Sequence, residues 1–253
     1  MHNAFVKLNK EFERIKQKGY IKGIYNAPSS IGRTFEQELG IIGNNKSLPD
    51  YYGIELKTRK SNAKSLINLF NAFPDGREKN ELLRLRDTYG YPYKKDRKYK
   101  CLYIEAYANK VNKCGIKYYF KLDIDTKNER IYLSIYNNNK ELIEKKIYWS
   151  FSCLKRKLKN KLSFLALIHS NNKIINGWGY HEYYHIKFYV LKNFRKFLKL
   201  LEDGKIKMYL EINVRQDKVH YGQVHYNGCS FQINESNIEE LFYNYDLDTG
   251  KLL

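Results

Sequence analysis

The sequence predicts a mixed α/β (α+β) fold, and three observations carry that reading. Apolar residues in the first segment recur at helical spacing, those beyond position 102 alternate in short runs, and 164–168 is almost purely apolar. The first pattern makes amphipathic helices, the second antiparallel strands, and the third a strand covered on both faces. At 253 residues the chain buries a full core without disulfides and makes one large domain or two packed lobes.

Phe5, Leu8, Phe12 and Ile15 define a first helix that stops near Gly19. A turn-rich stretch, 26–30, leads to a second short helix carrying Thr34, Phe35, Glu36 and Leu39, ended by Gly40. The stretch 43–49 reads as a loop and 52–58 as a strand, after which Ser61 caps a third helix through Leu66, Leu69 and Phe70. Strands are predicted at 102–106, 118–124, 131–136 and 143–149, with polar connectors between them. A basic helix at 151–162 and the apolar strand 164–168 follow. The stretch 171–179 is the expected boundary between a first lobe, 1–170, and a second, 171–253. The second lobe holds a helix at 187–203, strands at 206–214 and 219–233, and a closing helix from Ile238.

Lys and Arg number 46 against 27 Asp and Glu, a net charge of +19 spread along the chain. A folded basic face seeks polyanions, so nucleic acid is the first partner to consider. A membrane is the weaker alternative, because no segment approaches the roughly 20 apolar residues of a spanning helix and the start lacks a signal-peptide apolar region. A cytoplasmic protein is expected. Cys101, Cys114, Cys153 and Cys229 lie far apart without metal-ligand spacing, as suits buried thiols in a reducing compartment.

The stretch Pro49-Asp50-Tyr51-Tyr52-Gly53-Ile54-Glu55-Leu56-Lys57 carries the chemistry. On a strand Glu55 and Lys57 share one face while Ile54 and Leu56 share the other. Asp50 turning back toward Glu55 makes a pocket of hard oxygen ligands, to which the Leu56 carbonyl adds a third, and such a pocket suits Mg²⁺. An ammonium beside the ion, that of Lys57, orients an attacking water and shares developing charge, as hydrolysis of a phosphodiester requires. The plainer reading of the same residues is an exposed strand with an ordinary Glu–Lys pair. A rival motif, His181-Glu182-Tyr183-Tyr184-His185, matches the zinc-peptidase pattern H-E-x-x-H, but it follows a Gly-Trp-Gly turn, looks strand-like, and has no third ligand downstream.

The runs Ile31-Gly32-Arg33-Thr34-Phe35-Glu36, Leu48-Pro49-Asp50 and Ile54-Glu55-Leu56-Lys57-Thr58 resemble the MvaI/BcnI type of PD-(D/E)XK restriction endonuclease, related to the mismatch-repair nicking enzyme MutH. The likeness extends through Ala63-Lys64-Ser65-Leu66, Asp123-Ile124-Asp125, Tyr148-Trp149-Ser150-Phe151 and Phe231-Gln232-Ile233-Asn234. The resemblance implies a restriction-endonuclease-like mixed central sheet flanked by helices, with 1–170 catalytic and 171–253 a β-rich DNA-recognition lobe. It further implies a Mg²⁺-dependent type II enzyme that acts on double-stranded DNA as a monomer, nicks one strand per binding event, and has a cognate DNA methyltransferase as its genetic partner. Asp50, Glu55 and Lys57 match the catalytic set, and Glu36 matches a helix residue close to it.

In such enzymes the last strands read base edges, which makes Glu211, Asn213, Arg215, His220, His225, Tyr226, Asn227 and Gln232 candidates here. Glu211 and Gln232 stand where MvaI carries arginines, which implies a different target sequence. Arg33, Lys64, Lys94 and Arg97 are candidate DNA contacts, with Lys94 and Arg97 in a basic, Tyr-rich loop suited to the phosphate backbone. The alternatives are a MutH-like nicking enzyme and, from another class, a non-catalytic DNA-binding module.

Overall fold

The computed structural model describes residues 1–41, 48–77 and 80–253; residues 43–47 of the expected 43–49 loop fall outside it. In chain order the elements are α1 (His2–Lys16), β1 (Ile21–Lys22), α2 (Ser30–Glu38), β2 (Ile54–Lys60), β3 (Ile67–Asn71), α3 (Glu81–Tyr89), β4 (Tyr91–Pro92) and β5 (Lys100–Ala106). Then come β6 (Asn112–Cys114), β7 (Tyr118–Asp125), β8 (Arg130–Tyr136), β9 (Leu142–Glu144), β10 (Tyr148–Ser150) and α4 (Phe151–Leu162). The chain continues with β11 (Phe164–Ile175), β12 (Trp178–Leu191), α5 (Phe194–Glu202), β13 (Ile206–Val214), β14 (Val224–Ile233), α6 (Ile238–Leu241) and β15 (Phe242–Tyr245). Two compact units emerge, one from Met1–Ser65, Leu158–Asn193 and Ile238–Leu253, the other from Leu66–Lys157 and Phe194–Asn237.

The first unit holds a mixed sheet in the order β1-β12-β11-β2, with β15 also on β12. β2 lies parallel to β11 and every other pair is antiparallel. One face of the sheet carries Ile54, Leu56, Ala166, Ile168 and Phe188, which bury Phe5, Leu8, Phe12 and Ile15 of α1 and Ile31 and Phe35 of α2. Each such side chain contributes about 1.5–3 kcal/mol relative to exposure, and Tyr183 closes the layer by donating its hydroxyl to the Ile31 carbonyl at 2.7 Å. Strand alternation then sends Glu55, Lys57 and Arg59 to the opposite face, alongside Leu165 and Leu167.

The second unit contains two sheets, β3-β14-β13-β5-β4 and β10-β8-β7-β6, the latter with β9 on β8. Along β13, Ile206, Met208, Leu210, Ile212 and Val214 are buried, while Lys207, Tyr209, Glu211 and Asn213 between them face partly outward. Trp149 is fully buried against Phe231 and donates its indole N–H to the Ala72 carbonyl at 2.8 Å.

Several expectations need correction. The segment with Leu66, Leu69 and Phe70 is strand β3 and not a helix: a register shift opposite Phe231 and Gln232 lets both Leu69 and Phe70 turn inward, so a bulge imitates helical spacing. The helix expected at 187–203 divides, because 187–191 finish β12 and only Phe194–Glu202 is helical. The 143–149 strand is two short ones, β9 and β10, and α3 was not anticipated. Residues 171–179, the expected boundary between 1–170 and 171–253, lie in the hairpin of β11 and β12, and each compact unit draws on distant stretches of chain.

Candidate active site

The turn before β2 positions the candidate residues. Tyr51 and Ile54 exchange backbone hydrogen bonds at 3.0 and 2.8 Å, and the two residues between them, Tyr52 and Gly53, have φ of 45° and 86°. Positive φ at both central positions is the requirement of a tight type I′ hairpin. Glycine meets it without cost, whereas an exposed tyrosine does so under strain of about 1–3 kcal/mol. One rung beyond the Tyr51–Ile54 bridge, Asp50 stands opposite Glu55.

Asp50 accepts the Leu56 N–H at 3.0 Å through Oδ2, so it reaches along the free edge of β2, the last strand of its sheet. A strand residue's N–H and C=O point to the same side, which turns the Leu56 carbonyl toward that edge too. Behind β2 lies α2, approaching so closely that a Cβ on Gly32 would meet Thr58 Oγ1 at 3.2 Å.

Glu55 is 2% exposed. Its Oε1 accepts from Lys57 Nζ at 2.7 Å. Its Oε2 is buried and accepts no hydrogen bond, although Lys161 Nζ of α4 stands 3.2 Å away. Burial raises the proton affinity of the Glu55 carboxyl; the Lys57 ammonium opposes this, the Asp50 carboxylate reinforces it, and the balance lies above the usual carboxylate range. Asp50, Glu55, Leu56 and Lys57 thus lie together at the start of β2. Glu36 does not join them through any described bond: its carboxylate pairs with Arg33 at 2.9 Å, and both border a cavity of about 500 Å³ beside α2. Lys161 escaped the sequence reading, because nothing in the spacing of a basic helix reveals which of its lysines meets a strand a hundred residues earlier.

In the second unit, one face of β13 and β14 is polar. Glu211 accepts from Tyr209 at 2.9 Å, from Asn213 at 3.3 Å, and closely from Asn227. Asn227 reaches Glu211 because the pairing shifts register there, Glu211 facing Gly228 and Ile212 facing Tyr226. His225, opposite Asn213, and Gln232, which donates to Ser230 at 2.9 Å, share that face. Tyr226 pairs with Ile212 and so points to the other face. Arg215 and His220 lie in the turn that follows β13, where His220 contacts Asp217 at 2.8 Å. Lys94, Arg97 and Lys98 are exposed between β4 and β5, and Lys64 is exposed beyond β2.

His181 and His185 lie on strand β12 and not on a helix. His181 instead bonds Asn172 at 2.5 Å and Ser30 at 3.3 Å, His185 stacks on His169, and no group of three metal-ligating side chains occurs among the described residues. The peptidase geometry is absent.

A profile of the MvaI/BcnI restriction endonuclease family matches residues 9–242, nearly the whole sequence. The chain belongs to the MvaI/BcnI restriction endonuclease family. As a member of that family it is a nuclease. A search of curated proteins finds no match. Among solved structures, this endonuclease is similar to restriction endonuclease MvaI in complex with cognate DNA substrate, at 26% identity and a TM-score of 0.89, covering 98% of this chain and 99% of that one. It is also similar to MvaI in the absence of DNA, at 25% identity and a TM-score of 0.61, covering 96% and 97%. The restriction-endonuclease-like α+β fold is thereby established, and no helix of the described residues is long and apolar enough to cross a membrane.

Proposed function

We propose that the protein is a Mg²⁺-dependent type II restriction endonuclease that hydrolyses phosphodiester bonds of duplex DNA at a short specific sequence, working as a monomer that nicks one strand at a time. The single observation carrying this reading is the hairpin that sets Asp50 against Glu55 with the Lys57 ammonium 2.7 Å from the latter. The donor set suits a hard cation: two carboxylates, one with a buried oxygen that accepts no hydrogen bond, and the Leu56 carbonyl on the same strand edge. Mg²⁺ on Asp50, Glu55 and the Leu56 carbonyl would supply charge relief at the phosphate and acidify water.

Lys57 orients the attacking water and shares the negative charge that grows on the non-bridging oxygens. Burial of Glu55 keeps bulk water from competing for these groups. Glu36 and Arg33, one turn apart on α2, form a neighbouring charged pair, with Arg33 exposed enough to meet a phosphate. The polar face of β13 and β14 is the base-reading surface, with Glu211, Asn213, His225, Asn227 and Gln232 its principal side chains. Arg215 and His220, Tyr226, and the basic residues Lys64, Lys94 and Arg97 hold the backbone. A carboxylate amid that surface accepts from an exocyclic amino group in the major groove. A cognate methyltransferase protecting the host site completes the system.

Purified protein incubated with plasmid of known sequence and Mg²⁺ should give discrete double-strand ends, which sequencing reads as one short motif. Asp50→Ala or a chelator should leave the plasmid intact. Cleavage that persists in Asp50→Ala overturns the site, and nicks that never become breaks favour the repair-type alternative.

A further inference from the structure

We propose that Lys161 gates metal loading: without DNA its ammonium holds the Glu55 oxygen that the cation needs, and an entering phosphodiester draws it away. This rests on the assignment of Asp50 and Glu55 as metal ligands.

The charge count at the site motivates the gate. Glu55 carries two ammoniums, Lys57 and Lys161, and the Asp50 carboxylate stands one rung away, so the charges of these four side chains cancel. A divalent ion added to the site meets two cations within a few ångströms in a place where Glu55 is 2% exposed and solvent screens little. A DNA phosphate brings the missing negative charge.

The two lysines are not equivalent. Lys57 sits on the same strand and makes a hydrogen-bonded contact at 2.7 Å. Lys161 comes from the last turn of α4, stands off at 3.2 Å, and leaves Oε2 without a hydrogen bond, so its hold is charge alone. Its side chain is 25% exposed and its four-carbon stem is flexible, which gives it a path to a phosphate oxygen. Lys161 is therefore the cation that yields, and Lys57 the one that stays.

The test measures Mn²⁺ binding without DNA, by loss of the free-ion electron-spin-resonance signal at one fixed pH, in wild type, Lys161→Met, Lys161→Arg and Asp50→Ala. Lys161→Met should bind Mn²⁺ at least tenfold more tightly than wild type, Lys161→Arg should stay near wild type, and Asp50→Ala should not bind at the site. Lys161→Gln serves as the second neutral variant should thermal melting show Lys161→Met unfolded. Binding that depends on Asp50 but is unchanged in the neutral variants overturns the gate and leaves the metal site standing. Absence of any Asp50-dependent binding in both wild type and the neutral variants overturns the metal site, and the gate with it.

Discussion

Replacing Lys57 by methionine keeps the length of the side chain and removes only its charge. The ammonium lies 2.7 Å from Glu55 on the face of β2 where Asp50 also converges, which on the proposed function sets it beside the reacting groups and outside the metal's ligand set. Loss of one such preorganised donor costs about 2.7–4 kcal/mol of transition-state stabilisation, on the order of a 10²–10³-fold fall in the rate of the chemical step. Binding should change far less, by under about tenfold, because Lys57 is already committed to Glu55 by a hydrogen bond and so makes at most one of many phosphate contacts.

Stability should fall modestly. Lys161 remains beside the same carboxylate, so about 1–2 kcal/mol is lost, short of the 3–5 kcal/mol typical when a buried charge loses its only partner. That lowers the melting temperature by about 2–8 °C. Single-turnover cleavage with Mg²⁺, gel-shift binding with Ca²⁺, and a thermal melt measure the three quantities separately. A rate within tenfold of wild type, or a loss of binding that matches the loss of cleavage, would refute the role assigned to Lys57.

Three further outcomes follow. Glu211→Ala leaves Tyr209, Asn213 and Asn227 without their shared acceptor; the preferred site should be cut about 5–150-fold less well and the choice at one base pair relaxed, and an unchanged cleavage motif would count against base reading. All four cysteines are buried, and burial raises Cys101, Cys114 and Cys229, Cys114 to about 12; a chromogenic disulfide reagent at pH 8 should therefore titrate no thiol in native protein and four after denaturation, and fast reaction of one native thiol contradicts this. Burial first, and then Lys60, hold the His181 imidazole below its usual value. Its contribution to stability is thus present above about pH 6.5 and lost as pH falls through the depressed value, so melting curves from pH 7 to 5 should be flatter in His181→Asn than in wild type; parallel curves would defeat this assignment.

The legible part of the molecule was the part governed by local rules. The α1 stripe of Phe5, Leu8, Phe12 and Ile15 and the alternation of β13 are direct imprints of backbone period on burial. The Asp50, Glu55 and Lys57 cluster was readable because a turn and one strand suffice to assemble it. What failed depended on distant partners. β3 looks helical until β14 supplies the bulge, and 187–191 looks helical until β11 and β15 claim it as the end of β12. Lys161 was invisible for the same reason: its meaning comes from which strand α4 lies beside. The network around Glu211 needed a register slip at Asn227, for which Gly228 beside it, with φ of 125°, is the local signal, although it does not name the partner strand.

The weaving of the chain bears on how this endonuclease can change. Its backbone passes between the two units four times, at 65, 157, 193 and 237, so neither unit exists as an uninterrupted piece of gene. A single exchange of sequence therefore cannot move either unit whole. On the proposed reading of β13 and β14, retargeting the enzyme calls for substitutions of their outward side chains in place, within an otherwise fixed scaffold.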